Sequence, residues 1–406
     1  MRIGLLGMYA SANLGDTAIQ SVVIGALRSR RSDVDFVGLS HDPEDVVATH
    51  GIAGFPASGE GSRVLPKWGP ETNGKKGATP DRIVKRLGFF GRLLALRNIN
   101  REARDLDMLI VSGGGQIDDF WGGPWQQPFR LLVWSAFAGY RGKPVAVFAV
   151  GVDDLHSRLS VWFVTRALHL AKYRTFRDRG SLEILRKRGL KVTADVCPDP
   201  AFAYPVRSTA TGRKEPEVIK FAVISPISVR AFPGTTRAEY DSYLNALAYA
   251  ADSIRQQGLE IRFVCSQIKM DPQVVSRVTL RMKIKSGVSV ADVKCVDDFI
   301  ESVTDAQVVV ASRLHAIILA LVAGVPVIAV SPARKVRQQM TDTGLDDYCV
   351  DLKSLDGAVL LSRVQQALTR RLELLELIST RVSEFRARVE GGLDQLAALV
   401  PSAIGD

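Results

Sequence analysis

The sequence predicts an α/β protein made of two Rossmann-like domains with amphipathic helices at its carboxyl end. Three observations carry this. From residue 2 to 200, apolar β-branched runs alternate with helical stretches, the pattern of a doubly wound and mostly parallel sheet. A polar stretch, Ser208 to Glu217, reads as a linker, and the alternation starts again at Ile219. The segment Asp305 to Pro332 then compresses a strand, a polar turn, an apolar helix and a second strand into one βαβ unit. At 406 residues the chain exceeds one ordinary core, and the expected domains are 1–207, 218–357 and a helical segment 358–406.

Composition excludes several classes. Hydrophobic residues at 46% and charged residues at 24% describe a globular protein, not a disordered one. Cys197, Cys265, Cys295 and Cys349 show no metal-ligand spacing and fit reduced thiols in a cytoplasm. None of the five histidines pairs with another at i, i+4, so no metal site is expected. The amino terminus is too quickly polar for a signal peptide, and no run of eighteen uninterrupted apolar residues occurs. A net charge of +10 points to anionic partners such as a phosphorylated metabolite or a phospholipid surface. Nucleic acid fits least, because the cations are dispersed without interleaved aromatics.

In chain order, residues 2–7 form the first strand, and Asn13-Leu14-Gly15-Asp16 leads into a helix from Thr17 with Asp16 as its expected N-cap. Gly15 allows a bend or a close approach to a ligand. Val34–Leu39 is the second strand, and Phe55–Pro80, rich in Gly, Pro, Ser and Lys, reads as a mobile surface loop. Arg82–Arg101 is a basic amphipathic helix that either packs on the core or rests on an anionic membrane surface. Asp107–Val111 is a strand, and Gly113, Gly114 and Gly115 after it permit close approach of a phosphate or sugar. Asp118 and Asp119 lie just beyond, as solvated loop carboxylates or as groups that bind a sugar hydroxyl or act as a base.

Val145–Val150 is a further strand, Ser160–Ala171 a helix, and Arg177-Asp178-Arg179-Gly180-Ser181 opens the next one before the strand Val192–Val196. In the second half, Ile219–Ser225 is a strand with Pro226–Gly234 as its ligand-side loop. Thr236 and Glu239 fit a capping box, Glu260–Cys265 is a strand, Asp271–Met282 a helix and Asp298–Asp305 a short helix. Gln307–Ala311 and Val325–Val330 flank the apolar helix His315–Ala323, which Gly324 and Pro326 end. Ser312-Arg313-Leu314-His315 therefore lies at the carboxyl end of a strand and the amino end of a helix, where open α/β sheets bind ligands and free N–H groups favour an anion. Arg313 adds a fork for a carboxylate or phosphate, and His315 a group that carries a proton near neutral pH; a salt-bridged arginine and a turn-capping histidine are the bland alternative. Arg334 and Lys335 offer cations to the same region, and Leu361 to Val389 recur at helical spacing.

Asn13-Leu14-Gly15-Asp16, Ser112-Gly113-Gly114-Gly115, Arg177-Asp178-x-x-Ser181, Asp199-Pro200 and Ser312-Arg313-Leu314-His315 with Gly-x-Pro and Lys335 together resemble the polysaccharide pyruvyl transferase family. The resemblance implies a GT-B-like pair of Rossmann-like domains with a cleft between them, the first on the acceptor side and the second on the phosphoenolpyruvate side. It implies phosphoenolpyruvate as donor, a sugar, free or lipid-linked, as acceptor, and no metal or redox cofactor. Arg313 would bind the donor and His315 would be the general acid. Arg177, Lys335, Ser312, Asn13, Gly15, Asp16, Gly113, Gly114, Gly115 and Asp118 would line the substrates, with Asp16, Asp118 or Asp119 as base. Such an enzyme is expected in the cytoplasm, free or peripheral at the inner face of the membrane. A GT-B glycosyltransferase using a nucleotide sugar, or a non-catalytic sugar-phosphate-binding protein, are the alternatives.

Overall fold

In the computed structural model, residues 1–8, 12–66, 88–115, 117–120, 122–153, 155–190, 193–206, 220–228, 235–352 and 355–401 are described. The chain divides into two units: the first comprises 1–11, 16–200 and 388–406, the second 12–15 and 201–387.

The first unit holds β1 (Arg2–Met8), β2 (Asp35–Ser40), β3 (Ala53–Pro56), β4 (Met108–Ser112), β5 (Val145–Val150), β6 (Tyr173–Phe176) and β7 (Asp195–Val196). They form one parallel sheet in the order β3-β2-β1-β4-β5-β6-β7. Every residue of β4 and β5 is buried, as a strand covered by helices on both faces requires. The connecting helices are α1 (Leu14–Arg30), α2 (Pro43–His50), α3 (Gly88–Arg104), α4 (Gln127–Tyr140), α5 (Arg158–Leu170) and α6 (Arg179–Lys187).

The second unit repeats the plan with β8 (Phe221–Ser225), α7 (Arg237–Gln256), β9 (Glu260–Phe263), α8 (Pro272–Arg281), β10 (Val288–Val290), α9 (Val296–Val303), β11 (Val309–Ala311), α10 (Leu314–Val322), β12 (Val327–Val330), α11 (Arg334–Thr343) and β13 (Cys349–Val350). Its parallel order is β10-β9-β8-β11-β12-β13. The predicted capping box is formed: the Thr236 hydroxyl accepts from the Glu239 N–H (3.2 Å), and the Glu239 carboxylate accepts from the Thr236 N–H (2.7 Å). α10 is buried at every position except His315, which explains its unbroken apolar sequence. The carboxyl end forms α12 (Gly357–Thr369) and α13 (Arg371–Ala398), and residues from Arg388 onward group with the first unit. There Arg30 pairs with Glu390 and Asp394 at 2.7 Å each.

Several elements differ from expectation. α1 starts at Leu14, so Asp16 is a buried acidic residue of its first turn, where the helix dipole favours negative charge, and is not the N-cap. The expected surface loop from Phe55 begins as strand β3: Phe55 is fully buried edge-on to Trp134, whose indole N–H donates to the Ala57 carbonyl (2.9 Å). The rest of that loop from 67 to 80, the start of the basic helix at 82–87, the linker 208–217 and the loop segment 229–234 lie outside the described residues.

Candidate functional site

Each sheet reverses its order once, at β1/β4 in the first unit and β8/β11 in the second, and ligands of open α/β sheets bind beyond the carboxyl ends of the strands at such points. The second switch point is closed by a hydrogen bond from the Ser312 N–H to the Ser225 carbonyl (3.1 Å). Ser312, buried, hydrogen-bonds through its hydroxyl to the Tyr243 hydroxyl (2.8 Å), which also accepts from the Ile227 N–H (3.0 Å). Burial pushes the Tyr243 phenol up, so it remains a neutral strut.

Arg313 is the N-cap of α10, and Asp271 grips one edge of its guanidinium. Nε donates to Oδ2 at 2.6 Å and Nη2 to Oδ1 at 2.8 Å, a bidentate pair. Asp271 is fully buried, and its Oδ1 also accepts from the Ser228 N–H (3.1 Å). Although it stands at the head of α8, its carboxylate makes no cap to that helix. The guanidinium is thus fixed in plane with its Nη1 edge turned away from the pair. Beside it, burial pushes the Cys265 thiol up to about 12, so it is no thiolate nucleophile at neutral pH.

His315 follows two residues later, in the first turn of α10, and a strand-like bridge brings Gly15 against it. Asn13 pairs antiparallel with Gln267, the Leu14 N–H donates to the Ser266 carbonyl (3.0 Å), and the Ile268 N–H donates to the Ala12 carbonyl (2.9 Å). A Cβ on Gly15 would lie 1.9 Å from both Cγ and Nδ1 of His315 and 2.3 Å from its Cβ. No rotamer change relieves that last contact, so glycine is required there for contact, not for backbone conformation. Lys335 lies in the first turn of α11, beyond the carboxyl end of β12, the strand next to β11. Ser312, Arg313, His315, Lys335, Asn13 and Gly15 therefore meet at one end of the second sheet.

The remaining candidates belong to the first unit. The φ of Gly113 is +79°, and a Cβ there would lie 2.7 Å from Ile19. Ser112 and Gln20 exchange hydrogen bonds at 3.0 and 3.2 Å on the same contact, so the glycine lets α1 approach the end of β4. The Gly114 carbonyl accepts from the Gly151 N–H (2.9 Å), and a Cβ on Gly115 would lie 3.2 Å from an Asp153 carboxylate oxygen. Asp118 is half-buried and accepts from the Phe120 N–H (3.1 Å). Asp119 is buried and accepts from the N–H groups of His156 (3.0 Å) and Ser157 (2.8 Å) ahead of α5. Burial alone would raise its pKa, but these backbone donors outweigh it and hold the carboxyl below the usual range. Arg177 is buried between Asp178 (3.6 Å) and Asp199 (3.5 Å), while the Asp178 carboxylate caps α6 through the Ser181 N–H (2.6 Å). Among the described residues, no group of three or more His, Cys, Asp or Glu is arranged to hold a metal.

The sequence profile of the polysaccharide pyruvyl transferase family matches residues 13–334, from the Asn13 bridge to the first residue of α11. The chain belongs to the polysaccharide pyruvyl transferase family. This family member is also similar in structure to sugar-nucleotide proteins. A candidate UDP-N-acetylglucosamine 2-epimerase from Listeria monocytogenes is 12% identical with a TM-score of 0.60, covering 93% of this chain and 90% of that one. S. aureus MnaA, solved with UDP, is 12% identical with a TM-score of 0.57 over 100% of both chains. Anabaena Alr3699/HepE, solved with UDP-glucose, is 11% identical with a TM-score of 0.57 over 98% of each. Likeness at this identity shows the fold, and the fold is GT-B-like. No curated protein matches the chain. Within this pyruvyl transferase family member, Asp271 and Tyr243 are the site residues that sequence reasoning missed. Asp271 precedes Pro272, an ordinary helix start, and nothing local points to an arginine 42 residues away.

Proposed function

We propose that the protein transfers the pyruvyl group of phosphoenolpyruvate to a sugar and forms a cyclic ketal, with the donor held at the Arg313–His315 turn. The observation that carries this is the pairing of Arg313 with Asp271 two residues before His315, at the switch point of the second sheet. A guanidinium held along one edge presents the other to an anion without losing further side-chain freedom, the situation in which arginine binds carboxylate or phosphate well. The amino end of α10 adds N–H groups and positive dipole, and Lys335 and Ser312 complete the donor side.

In the step, His315 protonates the methylene carbon of phosphoenolpyruvate, giving an oxocarbenium-like centre at the carbon that bears the phosphate. A sugar hydroxyl attacks that carbon, its proton leaves, and the carbon–phosphate-oxygen bond breaks. A second hydroxyl of the same sugar closes the ketal. Of the two hydroxyl protons, one balances the new methyl group and the other leaves with phosphate, so the reaction is redox-neutral and needs no redox cofactor. A positioned acid supplies about 10²- to 10⁴-fold, and the binding of both substrates in reacting geometry supplies much of the remainder. The acceptor is proposed to be the sugar of an exopolysaccharide precursor or glycolipid, and the first unit its binding side, with Asp16, Gly114, Gly115 and Asp118 at or near its strand ends and Asp16, Asp118 or Asp119 as base. Arg177, tied to Asp178 and Asp199, holds that unit's strand end together. No helix among the described residues is long and apolar enough to cross a membrane, and a lipid-linked acceptor would be met at the cytoplasmic face.

One observation favours a second reading, transfer from a nucleotide sugar: similar structures hold UDP or UDP-glucose. Thermal shifts with phosphoenolpyruvate and with UDP-sugars separate the two. A ligand at 100 times its dissociation constant stabilises by about 2.7 kcal/mol, a shift of several degrees. Phosphoenolpyruvate is expected to raise the midpoint and Arg313→Ala to abolish the rise; a rise with UDP-sugars alone would overturn the proposal.

A further inference from the structure

We infer that the first unit carries a docking surface for an anionic phospholipid bilayer, formed by the amino-terminal halves of α3, α4 and α5. α4 packs against both of its neighbours, and the buried faces of all three share one core, through Ile99, Leu131, Trp134 and Val164. Their outer faces combine arginines with large apolar side chains. Leu93 and Leu94 on α3, Leu159 and Trp162 on α5, and Phe120 and Trp125 in the segment that leads into α4 are exposed, with Trp125 at 58% and Trp162 at 50%. About half of each of these tryptophans therefore stays in water, which a soluble surface ordinarily avoids at this density.

The indoles are held in place by other rings. Trp125 lies 5.3 Å from Phe129 and 5.4 Å from Phe163, and Trp162 lies 5.4 Å from Phe163. Arg166 lies over the Trp162 ring at 5.7 Å, so cation and aromatic share one spot. Rigid indoles beside arginines suit the boundary between headgroups and acyl chains, where an amphipathic ring has one apolar and one wet end.

Charge selects the occupant. Arg97, Arg158 and Arg166 are exposed on these helices, and the only acidic residue within their ranges, Glu102, is buried and paired with Arg63. α4 and α5 contain no acidic residue at all. Of the nearby carboxylates, Asp119 is buried under backbone N–H groups, and Asp118 and Asp153 are half-buried. A second copy related by a two-fold axis would bring this positive field against itself, whereas an anionic leaflet attracts it. The chain's overall charge of +10 acts in the same sense. The amino ends of α3, α4 and α5 follow the carboxyl ends of β3, β4 and β5, so the surface adjoins the end of the sheet where the acceptor is proposed to bind. The inference does not depend on the donor and stands whether or not pyruvate is transferred.

Flotation of the full chain with phosphatidylcholine vesicles, with and without phosphatidylglycerol, tests it. The protein is expected to float only with the anionic vesicles and to be released as salt rises through the range where surface charges are screened. Trp125→Ser/Trp162→Ser, checked for folding by circular dichroism, is expected to cut the bound fraction by about tenfold or more. Arg158→Glu/Arg166→Glu is expected to abolish the preference for anionic lipid. Equal flotation of the tryptophan double variant and the wild type would overturn the inference. So would failure of the wild type to float, or a dimer in light scattering that the tryptophan variant converts to monomer.

Discussion

The strand ends of the two units contain similar residues and use them differently. In the first unit Arg177 is closed between Asp178 and Asp199, and Gly113 faces Ile19. In the second unit Arg313 is held along one edge only, by Asp271, and Gly15 faces the ring of His315. An arginine between two carboxylates neutralises buried charge, and an arginine pinned by one keeps donors for a ligand. The two arginines differ in the number of carboxylates that hold them, not in residue type.

The largest effect that would sharpen this contrast is on Asp271. Removing one partner of a buried ion pair costs about 3–5 kcal/mol, so Asp271→Ala is expected to lower the unfolding midpoint in denaturant and to remove phosphoenolpyruvate binding. Arg177→Ala is expected to cost stability too, yet to leave phosphoenolpyruvate affinity per folded molecule unchanged. If both variants lost the ligand equally, the contrast would be wrong. Gly15→Ala comes next. Helix propensity alone favours alanine by up to about 1 kcal/mol, but the 1.9 Å approach of its Cβ to His315 must displace the ring. Misplacement by about 1 Å costs roughly 10²-fold in rate, so turnover is expected to fall by at least that much while the protein stays folded; an unchanged rate would free His315 from this packing.

The smallest effect lies in the first unit. The Asp119 carboxyl is held below its ordinary pKa, so its contribution to stability is present above the unfolded value of about 3.9 and is lost as pH falls through the lower folded value. Asp119→Asn is expected to cost about 2 kcal/mol at neutral pH and to flatten the acid limb of the stability profile below about pH 4. An acid limb identical to the wild type's would show that other carboxylates carry it.

Much of this was legible in the sequence, for physical reasons that also explain the rest. Buried parallel strands such as Val145–Val150 and the apolar helix after Arg313 read directly, because burial on all sides leaves no polar residue in the run. The three-residue β10 and two-residue β13 did not, since strands that short carry no periodicity. α2, α4 and α11 were also missed. At the site, Arg313 and His315 stood out by position, but Asp271 did not, because its partner is distant in sequence. The placement of residues 12–15 with the second unit was equally hidden: they follow β1, and only the bonds to Ser266 and Ile268 reveal where they belong.

The most direct measurement is phosphate release from phosphoenolpyruvate by His315→Gln in the presence of a sugar acceptor, with donor binding followed on the same sample. Loss of about 10²- to 10⁴-fold in rate with donor affinity retained is the result expected of a general acid. Full turnover with normal binding would contradict it and leave the turn as an anion site whose proton comes from elsewhere.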